Sequence, residues 1–246
     1  SAINASLSIL IFKSEGKEVT FCKKCVISNQ RPRIRWGLKE DGVCSACDYA
    51  YEKDNEIDWD ERERQLQKVC DEHRSANGSW DVIVPSSGGK DSGMVAHKLK
   101  YKYGMHPLTI TWAPFIYTEI GWKNFIALKD KGFDNILVHP DGILHRKLSL
   151  LAFDLHGDAW DPFGYGQQYL AYLLSVKYNI PLIFFGENGE IEYGGEDKHK
   201  NMVEAPMEDW EEIFYKGSSA QKLVDAGLKR NIFTKEEIAS SSFDFY

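Results

Sequence analysis

Two stretches of this 246-residue chain hold side chains whose types and spacing could do chemistry. The first is Ser86-Ser87-Gly88-Gly89-Lys90-Asp91-Ser92. It lies between an apolar run ending in Val82-Ile83-Val84 and a helical pattern carrying Met94, Val95 and Leu99. Paired glycines let backbone N–H groups approach a ligand closely. A helix N-terminus adds N–H donors and a partial positive charge. With the Ser87 and Ser92 hydroxyls and the Lys90 ammonium, this composition suits phosphate or pyrophosphate. The G-x-x-x-x-G-K-[ST] string of mononucleotide P-loops is absent. A glycine-rich βα turn with no ligand is the plainer alternative.

The second stretch is Cys22-Lys23-Lys24-Cys25, then eighteen residues, then Cys44-Ser45-Ala46-Cys47. Two such knuckles complete a tetrahedron of thiolates, and the spacing falls in the window for zinc. Four protein ligands leave no open position, so a zinc here is expected to be structural. Redox-active pairs and an iron–sulfur centre draw on the same donors and stay open. Arg31, Arg33, Arg35 and Trp36 lie between the knuckles, as phosphate or partner contacts or as a solvated loop. Cys70, the fifth cysteine, reads as a small buried residue of a helix.

A formal net charge of −7 argues against nucleic acid as the main partner. No apolar run approaches a membrane span. The run over residues 6–12 is too short for one and lacks the flanks of a signal peptide, so the expected location is cytoplasmic. The expected divisions are an N-terminal extension (1–20), a zinc-knuckle module (21–50) and a helical linker (51–79). An α/β domain (80–195) and a helical C-terminal segment (196–246) follow.

Positioning elements follow from periodicity. A helix is expected to start at Asp58-Trp59-Asp60-Glu61-Arg62, burying Trp59, Leu66, Val69 and Cys70. Strands are expected over 81–84, 107–112, 135–138 and 181–185, with helices over about 90–103 and 119–131. One more helix carries Leu144, Leu148, Leu151, Ala152 and Leu155 on one face, and another carries Leu170, Leu173, Leu174 and Tyr178. Such alternation implies a parallel sheet covered on both faces. Ligands of such sheets bind beyond the carboxyl ends of the strands.

That rule makes strand-end residues candidates. Gly186-Glu187-Asn188-Gly189-Glu190-Ile191-Glu192-Tyr193 follows the fourth strand. Its carboxylates could hold Mg²⁺ or bind sugar hydroxyls, with Glu187 and Glu192 first and Asn188 and Tyr193 behind; an acidic surface loop is the alternative. Thr111 ends the second strand. Glu119 and Asn124 follow it, Glu119 reading equally as the first-turn acid of a helix. Asp154, Asp158 and Asp161 around Trp160 read as a solvated helix end.

Residues 87–92 resemble the SGGxDS loop of the ATP pyrophosphatases, which cleave ATP to AMP and PPi. The knuckles, residues 58–62, the loop, Thr118-Glu119-Ile120-Gly121 with Lys123-Asn124, Gly186-Glu187-Asn188 and Glu192-Tyr193-Gly194-Gly195 form a longer ordered set. From about residue 21 to 195 this set resembles the N-acetyl sugar amidotransferases of bacterial surface-polysaccharide and flagellin-sugar pathways. The resemblance implies a PP-loop, adenine nucleotide alpha hydrolase-like domain. ATP would adenylate an acetamido oxygen, ammonia would replace it, and AMP and PPi would leave. It implies catalytic roles for Lys90, Asp91, Glu187 and Glu192. The ATP site would comprise Ser86, Ser87, Gly88, Gly89, Lys90, Asp91, Ser92, Thr111 and Gly186, and the sugar would meet Glu119, Asn124, Asn188 and Tyr193. Mg²⁺ and a structural Zn²⁺ on Cys22, Cys25, Cys44 and Cys47 are expected. The substrate would be an N-acetylated sugar, nucleotide-linked. Ammonia would come from a separate class I glutaminase subunit, since no glutaminase nucleophile is evident here. Members extend further at the C-terminus, so residues 196–246 are read as incomplete. The rival resemblance is to tRNA-thiolating pyrophosphatases, which usually carry further cysteines in the catalytic domain; none follows Cys70. A non-catalytic zinc-and-nucleotide module is a third reading.

Overall fold

A computed structural model of the chain describes residues 18–31, 34–186 and 219–239. They divide into two compact units, the first running to Ile57 and the second from Asp58 onward. In the first unit, Phe21 and Ser28 form an antiparallel bridge around one knuckle, and Trp36 bridges Cys44 beside the other. Helix α1 (Ser45–Asn55) then leaves directly from Cys44, its N-cap. The small core of this unit is Cys22, Val43 and Cys44, with Ile27, Ile34 and Trp36 packed against it.

The second unit opens with α2 (Trp59–Glu72), whose N-cap Asp58 accepts a 2.9 Å hydrogen bond from the Glu61 amide. Cys70 is fully buried and Leu66 packs beside it. Trp59 corrects the expectation of burial: it is 54% exposed, because the first residue of the helix runs past the cluster that Leu66 and Cys70 join. The division at Ile57 falls inside the segment 51–79 read as a helical linker, and residues 74–79 belong to the second unit. That segment is tied into the α/β unit. The Arg74 guanidinium donates to the Tyr103 and Gly104 carbonyls, and the Asp81 carboxylate accepts from the Ser75 and His106 amides.

Three parallel strands follow: β1 (Val82–Pro85), β2 (Pro107–Trp112) and β3 (Asp134–Val138), ordered β1-β2-β3. Parallel neighbours need long crossovers. Here they are helices, α3 (Lys90–Tyr101) and α4 (Glu119–Asp130). Successive side chains of a strand point to opposite faces. Ile83, Leu108, Ile110 and Trp112 pack with Phe163, Leu170, Ala171 and Leu174 of α6 (Asp161–Tyr178). Val82 and Val84 pack with Ala96 and Leu99 of α3 and with Leu128 of α4. This is an α/β arrangement with both faces of the sheet covered.

The expected fourth strand is reduced to one bridge. Ile183 pairs with Ile83 in parallel, with Ile83 N–H donating to Leu182 O and Phe184 N–H to Ile83 O, both at 2.9 Å. The next bond of this ladder would need an N–H from Pro85, which has none. The segment still occupies a strand's place. Ile183 and Phe185 join one core cluster, Leu182 and Phe184 the other.

Helix α5 (Gly142–His156) buries Leu144, Leu148, Leu151 and Ala152 against Leu223 and Val224 of α7 (Ala220–Lys229) and against Phe233, which precedes α8 (Lys235–Ala239). Leu155, expected on the same face, is 37% exposed near the helix end. No described helix is long and apolar enough to cross a membrane.

His145 of α5 is 1% exposed and its ring lies 4.6 Å from that of Phe115. Burial lowers its pKa to about 4. Between that value and the ordinary imidazole value near 6.5, the unfolded chain binds a proton that the folded chain refuses, so stability falls as pH drops through this window. His145→Phe is expected to flatten the acid limb by up to about 3 kcal/mol, read as urea midpoints from pH 7 to 4. An unchanged slope would refute the assignment.

Candidate functional site

β1 ends in the glycine-rich loop, and the loop ends in α3. Gly88 takes φ +83°, and a Cβ built there would lie 2.7 Å from the Phe125 nitrogen and 2.8 Å from the Asn124 carbonyl carbon. The loop backbone is therefore pressed against the backbone of α4, a contact no other residue allows without movement. Gly89 is the N-cap of α3 and carries no capping side chain, whereas Asp58, Thr118 and Asp141 cap α2, α4 and α5. The first turn of α3 thus presents its N–H donors without a side-chain acceptor from its own N-cap.

The hydroxyls of the loop divide their work. Ser86 is buried; its Oγ accepts from the Gly88 amide at 3.2 Å and meets Ser92 Oγ at 2.9 Å. Ser86 braces the loop from inside, while Ser87 is exposed. The Lys90 ammonium bonds both carboxylate oxygens of Asp91, at 2.9 and 3.1 Å. Both side chains stand largely in solvent, Lys90 at 89% exposure, which makes the pair weak and replaceable.

The sheet order makes this loop the candidate place for a ligand. From β1 the chain steps outward to β2 and β3, then returns to pair Ile183 on the other side of β1. The order reverses at β1, and the crevice at such a switch point opens beyond the carboxyl ends. Gly186 lies there: a Cβ on it would come within 2.8 Å of the Ser92 nitrogen. Thr111, 3% exposed, points inward, its hydroxyl donating to the Ser86 carbonyl at 2.6 Å. Thr111 therefore supports the loop from beneath.

In the first unit, the Sγ atoms of Cys22, Cys25, Cys44 and Cys47 lie within 4.8 Å of one another. Cys22 and Cys47 are 3.9 Å apart, and Cys25 and Cys44 3.6 Å. With zinc–sulfur bonds of about 2.3 Å, a regular tetrahedron has edges of about 3.8 Å, so the four thiols fit a zinc ion. Burial pushes the Cys22 thiol up, but the amides of Lys24, Cys44 and Cys25 outweigh it and bring the pKa down to about 6. Two of those amides, Lys24 and Cys44, sit 3.3 Å from the sulfur. Burial first, then contacts with the other thiols, raises Cys47; burial also raises Cys44. A metal binding here would displace protons from those two, so its affinity weakens as pH drops.

The remaining candidates separate. Glu119 stands on the surface in an i,i+4 pair with Lys123, behind the Thr118 cap. Asn124 is exposed, and its backbone meets Gly88. Glu187, Asn188, Glu192 and Tyr193 lie outside the described residues, as does Arg33. Asp161 departs from the solvated helix end expected of it: it is buried and bonds His156 Nδ1 at 2.9 Å.

Compared with protein-family models and with curated proteins, the sequence matches none. The chemistry of the site rests on its own geometry.

One part of that geometry escaped sequence reading. Asn135, opposite Thr109 in the β2–β3 register, donates from Nδ2 to Thr109 Oγ1 and Thr111 Oγ1, both at 3.0 Å. The only available signal was the polar residues set among the apolar ones of the two strands, Thr109 and Thr111 on one face of β2 and Asn135 on β3.

Proposed function

We propose that this chain is the ATP-dependent synthetase subunit of an N-acetyl sugar amidotransferase, built on a PP-loop domain. The observation that carries the reading is the loop 86–92. It joins β1 to the first turn of α3 at the switch point of a parallel sheet, its Gly88 backbone pressed against α4 and its Ser92 backbone against Gly186, and it offers backbone N–H groups, serine hydroxyls and the Lys90 ammonium. An anion of pyrophosphate size suits those donors.

In this reading the acetamido oxygen of the sugar attacks the α-phosphorus of ATP, and PPi departs. Ammonia then adds to the imidate carbon, loses a proton, and AMP leaves with the former amide oxygen. An amide oxygen is a poor leaving group and AMP a good one, which is why activation precedes amination. The first-turn N–H groups of α3, the Ser87 and Ser92 hydroxyls and the Lys90 ammonium hold the departing PPi. Asp91, paired with Lys90 in the free chain, would help to hold the metal. Mg²⁺, bound with ATP, would neutralise phosphate charge. Glu187 and Glu192 are proposed as further carboxylates of the site, and Asn188, Tyr193, Glu119 and Asn124 as sugar contacts. Zn²⁺ on the four cysteines is structural, and ammonia arrives from a class I glutaminase partner in the cytoplasm.

The test supplies purified protein with Mg²⁺, ATP, ammonium and UDP- or CMP-linked acetamido sugars, and follows AMP, PPi and sugar mass. Amidine formation replaces O by NH and lowers the mass by about one unit, by the atom balance of that exchange; sugar-dependent AMP should accompany it. ATP turnover with no sugar dependence would sink the proposal. Asp91→Ala and Ser87→Ala should each lower PPi release at least about a hundredfold with zinc content unchanged. Full activity in either variant would remove the loop from the mechanism.

A further inference from the structure

The glycine-rich loop is braced by a hydrogen-bonded chain that begins two strands away. Thr111 Oγ donates its one proton to the Ser86 carbonyl, and Thr109 Oγ donates its own to the Asp134 carbonyl, both at 2.6 Å. A hydroxyl has a single proton and two acceptor lone pairs. With both protons spent on carbonyls, each oxygen can only accept from its other neighbour. That neighbour is Asn135, and the Nδ2 amino group is the only part of its side chain that can donate. This fixes the orientation of the amide. Asn135 Oδ1 is buried and has no hydrogen-bond partner among the described residues, an arrangement that costs about 1–3 kcal/mol. The amide is held this way round in spite of that.

Beyond Thr111 the chain continues into the loop. The Ser86 N–H donates to the Ile110 carbonyl at 2.8 Å, and its carbonyl accepts from Thr111. Both backbone groups being tied, Ser86 Oγ stands where the Gly88 amide can donate to it and where it meets Ser92 Oγ. Thr109 and Thr111 are 0% and 3% exposed, so no bulk water competes for these bonds.

We propose that Asn135 is a positioning residue of the loop. Its amino group commits the Thr111 proton to the Ser86 carbonyl, and Ser86 thereby holds Gly88 and Ser92 in the anion-binding conformation. Asn135 touches no ligand in this scheme; it acts through Thr111 and Ser86. Its catalytic consequence rests on the ATP reading above, whereas its effect on the loop does not.

Asn135→Asp reverses the polarity at constant shape. At pH 8 a carboxylate has no proton to give, so the Thr111 hydroxyl turns to it and abandons the Ser86 carbonyl. Amide hydrogen exchange is read first. The Gly88 amide should exchange about tenfold faster or more, while amides at the centre of β2 keep their wild-type rates. Thr111→Val should do the same, Thr111→Ser should restore wild-type exchange, and the double variant Asn135→Asp/Thr111→Val should be no worse than Thr111→Val alone. Steady-state kinetics come second. In both disruptive variants KM for Mg·ATP should rise about tenfold with kcat within threefold, and Thr111→Ser should stay at wild-type values. Unchanged Gly88 exchange in Asn135→Asp and Thr111→Val overturns the proposal. So does acceleration spread evenly over the sheet, which marks loss of stability alone. If the wild-type protein neither binds nor turns over Mg·ATP, the ATP reading fails, and the exchange data still decide the role of Asn135.

Discussion

Cys44→Ser is expected to strip the first unit of both metal and fold. The apolar core there is Val43 with the buried Cys22 and Cys44 and a few half-covered side chains, too little to hold a unit of this size on its own. Structural zinc contributes on the order of 10 kcal/mol to such folds. Cys44 is fully buried in the small core of this unit, so losing its sulfur removes one of the four thiols from the centre of the cluster that holds the unit together. The wild-type protein should carry one zinc per chain by elemental analysis. Cys44→Ser should carry none, and amide resonances of residues 18–57 should collapse to unfolded positions. Cys70→Ser is the control: Cys70 belongs to α2 of the second unit and is not one of the four clustered thiols, and that variant should keep its zinc. A full equivalent of zinc on Cys44→Ser would refute the assignment. Iron with visible absorption would replace zinc by an iron–sulfur centre on the same thiols. Chelation should become easier as pH falls, because the raised thiols of Cys44 and Cys47 then compete more strongly as protonated forms.

The second large effect is expected at Gly88. Gly88→Ala must place a Cβ within 2.8 Å of α4 backbone atoms, at a φ of +83°. Left-handed backbone costs a non-glycine residue about 1–2 kcal/mol, and backbone atoms of a helix cannot yield as a flexible side chain can. The loop must therefore separate from α4. A destabilisation of about 3 kcal/mol and loss of ATP-dependent PPi release of at least about a hundredfold should follow. Gly93→Ala is the matched control. It sits within α3 with nothing within 4 Å of its added Cβ, and it should stabilise the protein by up to about 1 kcal/mol while leaving turnover intact. Equal behaviour of the two variants in denaturant titrations and in PPi release would remove the close approach as an explanation.

Much of the fold was legible because its causes are local. The strand at 107–112 needed only its short run of strand-forming residues, and the helix at 119 needed only its periodicity. The cysteine spacing announced a four-thiol cluster because two knuckles can close on one ion however the rest of the chain folds. The loop, too, could be placed between a strand and a helix from its neighbours in sequence.

Other features depended on partners remote in sequence. The fourth strand stops at one bridge because Pro85, nearly a hundred residues earlier, has no N–H to offer it. Trp59 fits the apolar stripe by spacing yet lies beyond the packed layer. The polar segment 74–79 looks like a linker until Arg74 and Asp81 are seen fastened to residues 103–106. Ser86 reads as one more phosphate ligand, and only its burial and the Thr111 proton turn it into a brace. His145 is one histidine among seven until β2 and the segment after it close over its ring. The sequence by itself determined which groups could meet an anion or a metal, because side-chain chemistry and local backbone preference are written residue by residue. Only the tertiary structure decided which hydroxyls stay open to solvent and which hold the loop, because a hydrogen bond is spent on whichever partner the fold brings within reach.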